Sequence, residues 1–77
     1  MDLNAPVSGL WPEQTTDPIA ARTRNSLERA GIYRVSDLLA DWTADNLTDL
    51  REFGPLQLAE VRRVLANAGL ALKGDTL

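Results

Sequence analysis

The sequence predicts an all-α fold, a compact four-helix domain preceded by an extended N-terminal arm. Apolar residues recur at helical spacing in successive stretches between residues 18 and 68. No stretch alternates apolar and polar residues as a half-buried strand does. The chain has 77 residues, of which 44% are hydrophobic and 25% are charged, and this suits one small domain. We expect the domain to span residues 17–73, with a short tail at 74–77.

Residues 1–16 are expected to form an extended or flexible acidic arm, because Pro6, Gly9 and Pro12 interrupt any helical period. The conspicuous feature of the arm is Trp11. Three interpretations of this side chain stay open: it folds back onto the domain and covers apolar surface, it anchors a partner protein, or it is disordered.

The first helix is predicted to begin at Pro18, because proline suits the first helical turn, and Asp17 before it is a suitable N-cap. Apolar and small residues then share one face of this helix. They are Ala20, Thr23, Leu27 and Ala30. Gly31 is expected to end the helix, since glycine adopts the left-handed conformation at low cost.

Two shorter helices follow. The second is predicted from apolar residues at i, i+3, i+4 and i+7, namely Val35, Leu38, Leu39 and Trp42. Thr43 is expected to cap the third helix, whose inward residues are Leu47 and Leu50.

The fourth helix is the longest and most regular. Pro55 suits its first turn, and Gly69 is expected to end it. The residues predicted to line its buried face are Leu58, Val61, Val64, Leu65 and Ala68. Leu70 and Leu72 are expected to fold back as a closing apolar contact.

Composition excludes several classes of chemistry. The chain has no cysteine and no histidine, so disulfides, thiolate nucleophiles, imidazole catalysis and Cys- or His-based metal sites are absent. A site built on carboxylates alone would need a pocket that a helical chain of this size rarely has. We therefore expect no enzyme activity, no metal site and no cofactor.

The charge balance argues against non-specific nucleic-acid binding. Between residues 18 and 73, eight basic residues stand against seven acidic ones, so this part of the chain is close to neutral. Any nucleic-acid binding must then depend on a few well-placed contacts. No apolar run is long enough for a membrane span, and we expect a cytoplasmic protein without a membrane partner.

Two connections between helices are alike. Residues 30–32 and residues 53–55 each place a glycine, Gly31 or Gly54, between two apolar residues. The glycine allows a tight backbone turn, and its neighbours can pin the hairpin to the core. The pattern predicts two helix-hairpin-helix-like elements, although short connections of this kind are also common in helical bundles.

The residues around these glycines resemble the C-terminal domain of the bacterial RNA polymerase alpha subunit. Residues 21–32 are similar to its first helix and hairpin, and residues 35–39 to its second helix. Residues 43–50 are similar to its third helix, and residues 50–72 to its second hairpin and long last helix. The resemblance implies a helical domain that binds the minor groove of A·T-rich DNA and contacts transcription activators and sigma factors.

The resemblance also implies site residues. Arg22 stands where the family has the arginine that enters the minor groove, and Asn25 where it has a companion asparagine. Further positions matched to the DNA-contact surface are Ser26, Gly54 and Glu60, with the backbone of Gly54 approaching a phosphate. Gln57, at the start of the fourth helix, is a further candidate DNA contact. Arg22 and Asn25 are three residues apart, so they project from one helix face, and a narrow A·T groove attracts a guanidinium. Arg24 and Arg51 are candidates for additional phosphate contacts.

The chain departs from the family after the second hairpin glycine. Basic and hydroxyl residues are usual there, whereas this chain has Pro55, Leu56 and Gln57. Pro55 has no N–H to donate, and Leu56 replaces a lysine, which suggests a protein contact. Two functions therefore stay open for what we expect to be a free-standing relative. One is a small DNA-binding transcription accessory protein or regulator. The other is an interaction module that uses Leu56 or Trp11 to bind RNA polymerase, a sigma factor or a transcription regulator.

Overall fold

The computed structural model describes residues 2–11 and 17–75. Four α-helices follow a 3₁₀ turn at Val7–Leu10. They are α1 (Pro18–Arg29), α2 (Val35–Asp41), α3 (Ala44–Thr48) and α4 (Pro55–Asn67). The described residues form no strand, and the predicted all-α class is confirmed. No helix in these ranges is both long enough and apolar enough to cross a membrane.

The helices begin and end where local chemistry predicts. The side chain of Asp17 accepts a hydrogen bond from the Ile19 N–H at 2.9 Å, and Pro18 occupies the first turn of α1. Thr43 caps α3 through a hydrogen bond from the Asn46 N–H at 3.2 Å. After α1 and α4 the backbone turns through Gly31 and Gly69, at φ values of +84° and +75°. A side chain is strained at these angles, so glycine suits both positions.

The core lies between α1 and α4, with α3 also packed against α4. Leu27, Val61 and Leu65 are fully buried in this interface. Leu72 folds back after α4 and is 2% exposed, as predicted. The burial of these side chains supplies the main driving force for folding a domain of this size.

Residues 2–11 differ from the expected extended or flexible arm. The Val7 N–H donates to the Tyr33 carbonyl at 2.8 Å, and the Ser36 N–H donates to the Leu3 carbonyl at 2.8 Å. Buried side chains hold the same segment to the domain. They are Val7, Leu10 and Trp11. The first N–H groups of α2, those of Val35 and Ser36, have no partner within the helix, and residues 2–11 supply their acceptors while adding to the core. The domain as packed therefore includes this segment, while residues 1, 12–16, 76 and 77 lie outside the described part of the chain.

Candidate nucleic-acid interface

One face of α1 carries a stripe of polar residues. Arg22, Asn25, Ser26 and Arg29 stand at i, i+3, i+4 and i+7, the spacing that brings side chains onto one helix face. They line a groove of about 440 Å³. Its other lining residues are Glu52, in the connection between α3 and α4, and Gln57, in the first turn of α4. The structure thus brings together four of the residues predicted from sequence, Arg22, Asn25, Ser26 and Gln57.

The packing of α1 turns this stripe outward. Ala20, Thr23 and Leu27 lie on the opposite side of the helix and are fully buried. The buried Thr23 hydroxyl donates to the Ile19 carbonyl at 2.6 Å, so this polar group costs little inside the core. Because that face is fixed against the domain, Arg22 and Asn25 are exposed to solvent.

The second wall of the groove is the start of α4. Oε1 of Gln57 accepts a hydrogen bond from the Gly54 N–H at 2.9 Å. A Cβ at residue 54 would stand 3.3 Å from the same oxygen, so glycine makes room for this bond. The Gly54 N–H, expected from sequence to approach a phosphate, already has a partner within the chain. The amide NH₂ of Gln57 is the part of that side chain that can donate to a ligand.

Sequence reasoning missed two groove residues, Arg29 and Glu52. Nη1 of Arg29 lies 3.7 Å from Oε2 of Glu52, and the two side chains are 77% and 74% exposed. Glu52 has a φ of +65°, the left-handed region that residues other than glycine rarely adopt. A signal for Arg29 was available, since it stands two helical turns after Arg22. Nothing in the local sequence predicts that Glu52 faces α1.

The other candidate basic residues lie outside this groove. Arg51 is exposed and lines a neighbouring shallow groove that shares Ser26, Arg29 and Glu52 with the first. Arg24 is half-buried, and its Nε is buried without a hydrogen-bond partner among the described residues. Leu56 is 63% exposed at the start of α4 and does not line the groove.

Glu60 does not fit the expectation that it flanks a DNA-contact surface. This residue is only 6% exposed and is absent from the groove. Its carboxylate accepts hydrogen bonds from Nε of Arg63 at 2.6 Å and from Nε1 of Trp11 at 3.4 Å. The hydrogen bond from Arg63 lowers the pKa of the Glu60 carboxyl, against the opposing effect of burial. Glu60 therefore holds the N-terminal segment onto α4, and is unavailable to a ligand.

The same contact decides between the interpretations of Trp11. Its side chain is 3% exposed and packs in the core with Val7 and Leu10. Trp11 thus folds back onto the domain, and a buried indole is not available as an anchor for a partner protein.

The groove offers hydrogen-bond donors more than reactive groups. Guanidinium and amide groups from Arg22, Asn25, Arg29 and Gln57 surround it, and Glu52 is its one acid. The described residues hold no group of three or more acidic side chains that could bind a metal ion. Such a surface suits an anionic ligand that is rich in hydrogen-bond acceptors.

A family model and individual relatives both relate this chain to the alpha subunit of bacterial RNA polymerase. Residues 19–67 match the family model for the C-terminal domain of the bacterial RNA polymerase alpha chain. The DNA-directed RNA polymerase subunit alpha of Bifidobacterium adolescentis is 34% identical over 76 residues, which cover 99% of this chain and 20% of that protein. The protein of the same name from Beutenbergia cavernae is 44% identical over 55 residues, or 71% of this chain and 16% of that protein.

The chain spans about a fifth or less of the length of these relatives. No solved structure matches it significantly. All six residues that line the groove fall within the span that the family model matches.

Proposed function

This chain belongs to the family of C-terminal domains of the bacterial RNA polymerase alpha subunit, and we propose on that basis that it binds DNA and acts in transcription. In this proposal α1 and the start of α4 contact the minor groove of A·T-rich DNA. The role is that of a small accessory protein or regulator. The observation that carries the proposal is the outward stripe on α1, where Arg22 and Asn25 face one groove with Gln57.

The chemistry of the minor groove fits these side chains. A·T pairs present only acceptors there, adenine N3 and thymine O2, so donors are required on the protein. Arg22 supplies a guanidinium, which the strong negative potential of a narrow A·T groove attracts. Asn25 and Gln57 supply amide NH₂ groups beside it. Ser26 is small and half-buried, which leaves room for close approach of the DNA backbone.

The affinity of one domain should be low. Few basic side chains face the groove, and the region from residue 18 to residue 73 is close to neutral, so few counterions are released. We expect dissociation constants near the non-specific range of about 10⁻⁴ to 10⁻⁶ M. Useful occupancy would then come from a second DNA-binding domain or from a protein bound beside this one, because linked contacts multiply affinity. RNA polymerase, a sigma factor or a transcription regulator would be such a partner.

Fluorescence anisotropy with short labelled duplexes tests the proposal. Wild type should prefer an A·T-rich duplex to a G·C-rich one at low salt. Arg22→Ala should lower A·T-duplex affinity about tenfold, since a good arginine–base contact is worth about 1–3 kcal/mol. Arg34→Ala is the matched control, because Arg34 is exposed and lies outside the groove. Equal affinities of wild type and Arg22→Ala for both duplexes would overturn the assignment.

A second candidate function rests on Leu56. A leucine that is 63% exposed at the start of a helix suits a protein contact better than a phosphate contact. In this alternative the domain docks on RNA polymerase, a sigma factor or a regulator without touching DNA. An Arg22-independent interaction with purified polymerase, lost in Leu56→Asp, would favour it over the first proposal.

A further inference from the structure

We infer that Glu52 is a built-in counter-ion of the groove, which competes with DNA phosphate for Arg29 and so limits the affinity of the domain for DNA. The inference rests on the proposed DNA-binding function. The inference concerns the affinity of the groove for DNA, whereas the proposed function concerns the identity of the ligand.

The groove is lined by two arginines and one acid. Arg22 and Arg29 come from α1, and Glu52 comes from the connection between α3 and α4. The Glu52 carboxylate is 3.7 Å from the Arg29 guanidinium. This contact is the only ion pair within the groove among the described residues. In the free protein, one of the two groove arginines thus already has a carboxylate partner.

The backbone that carries the Glu52 side chain is held by the residues that follow it. Phe53 is 4% exposed, and its N–H donates to the Leu50 carbonyl at 3.1 Å. On the next residue, the Gly54 N–H donates to Gln57. The turn is therefore anchored on the side that follows Glu52, and the φ of +65° at Glu52 is part of that turn. A long acidic side chain with this anchorage stays within reach of α1.

Arg29 is well placed for a phosphate. It follows Arg22 by seven residues, about 10 Å along the helix axis. If Arg22 enters a minor groove about 6 Å wide, a side chain at that distance can meet the sugar–phosphate backbone beside it. Binding a phosphate then requires Arg29 to leave Glu52, and the carboxylate remains next to a polyanion. Both effects lower affinity for every DNA sequence alike, because phosphates carry no sequence information.

The test neutralises Glu52 without changing its shape. Glu52→Gln should bind A·T-rich and G·C-rich duplexes about two- to fivefold more tightly than wild type, the range expected from an exposed ion pair. The ratio between the two duplexes should not change. The dependence of log K on log salt should steepen by about 0.9, the value for one additional phosphate contact. Glu28→Gln is the matched control, since Glu28 is exposed on α1 and lies outside the groove.

A double-mutant cycle separates competition from simple repulsion. In an Arg29→Gln background, Glu52→Gln should give a clearly smaller gain than in wild type, because the arginine that it releases is absent and only the repulsion between the carboxylate and the DNA is removed. A gain as large as in the wild-type background would overturn the counter-ion role and leave general repulsion. Identical affinities of Glu52→Gln and Glu28→Gln would also overturn it. These results leave the Arg22 experiment untouched, so the inference can fail while the proposed function stands.

Discussion

At the scale of single residues, the environment of Glu60 is defined by the contacts of its carboxylate. Glu60 is a buried acid whose two carboxylate oxygens bind groups from different parts of the chain, Arg63 on α4 and Trp11 from the N-terminal segment. A buried carboxylate without such partners would be strongly unfavourable. Its lowered pKa shows that the folded state favours the charged form.

This environment predicts a pH dependence of stability. The pKa of Glu60 is lower in the folded chain than in the unfolded chain, so its contribution is complete above the unfolded value. The contribution is lost as the pH falls below about 4.3, the ordinary value for glutamate, toward the folded value. Glu60→Gln should lower the free energy of unfolding by about 1 kcal/mol at pH 7, because the hydrogen bond from Arg63 then ends on a neutral amide oxygen and no longer on a charged carboxylate. Urea unfolding at pH 7 and pH 3 should find this difference reduced at the lower pH.

Glu28→Gln serves as the control for the pH experiment. The side chain of Glu28 is exposed, and replacing it should change the free energy of unfolding by less than about 0.5 kcal/mol. A Glu60→Gln difference that is the same at both pH values would contradict the role assigned to its charge.

At the scale of elements, the N-terminal segment is part of the domain. Its backbone pairs with residues 33–36, and its side chains complete the core. Trp11 is the largest of these and is 3% exposed. Trp11→Ala should lower the free energy of unfolding by about 3–5 kcal/mol, as for other large-to-small changes in cores. Chemical unfolding followed by far-UV circular dichroism measures this loss.

Tyr33→Ala is the control for the Trp11 variant. Tyr33 is 64% exposed, although its carbonyl accepts the Val7 N–H, so removal of its ring leaves that backbone contact intact. A change below about 0.5 kcal/mol is expected. If both variants lost equally little stability, the N-terminal segment would not contribute to the core as described.

The sequence predicted the four helices because their limits depend on local chemistry. The residues that begin and end the helices act on backbone groups close to them in sequence, so their positions can be predicted from sequence alone. They are Asp17, Thr43, Gly31 and Gly69. The packing of residues 2–11 depends on hydrogen bonds to residues 33–36, which are distant in sequence. Pro6 and Gly9 indicate only that the segment is not a regular helix.

In the candidate site, too, the features set by local sequence were predicted and those set by distant contacts were not. Arg22, Asn25 and Ser26 share a helix face, and helical spacing predicts that. The burial of Glu60 could not be foreseen, because its partner Trp11 is 49 residues away. The approach of Glu52 to Arg29 likewise depends on how the two hairpins meet.

At the scale of the whole molecule, the charge distribution predicts a weak dependence of DNA binding on salt. Arg22, Arg29 and Arg51 are the basic residues on the two adjoining grooves. With Arg29 paired to Glu52, contacts from the other two arginines give a slope of log K against log salt of about −1.8. Anisotropy titrations between low and moderate salt measure this slope. A value steeper than about −5 would indicate a larger basic surface than these grooves contain.

The pairing of residues 2–11 with the loop after α1 bears on how fragments of such proteins are chosen. The family model matches residues 19–67, and a recombinant piece cut to that span would lack four buried core side chains, three of them from residues 2–11 and the fourth Leu72. It would also leave amide groups of Val35 and Ser36 without their acceptors. Cloning limits for relatives are therefore better set by the packing of upstream residues than by the extent of a sequence match.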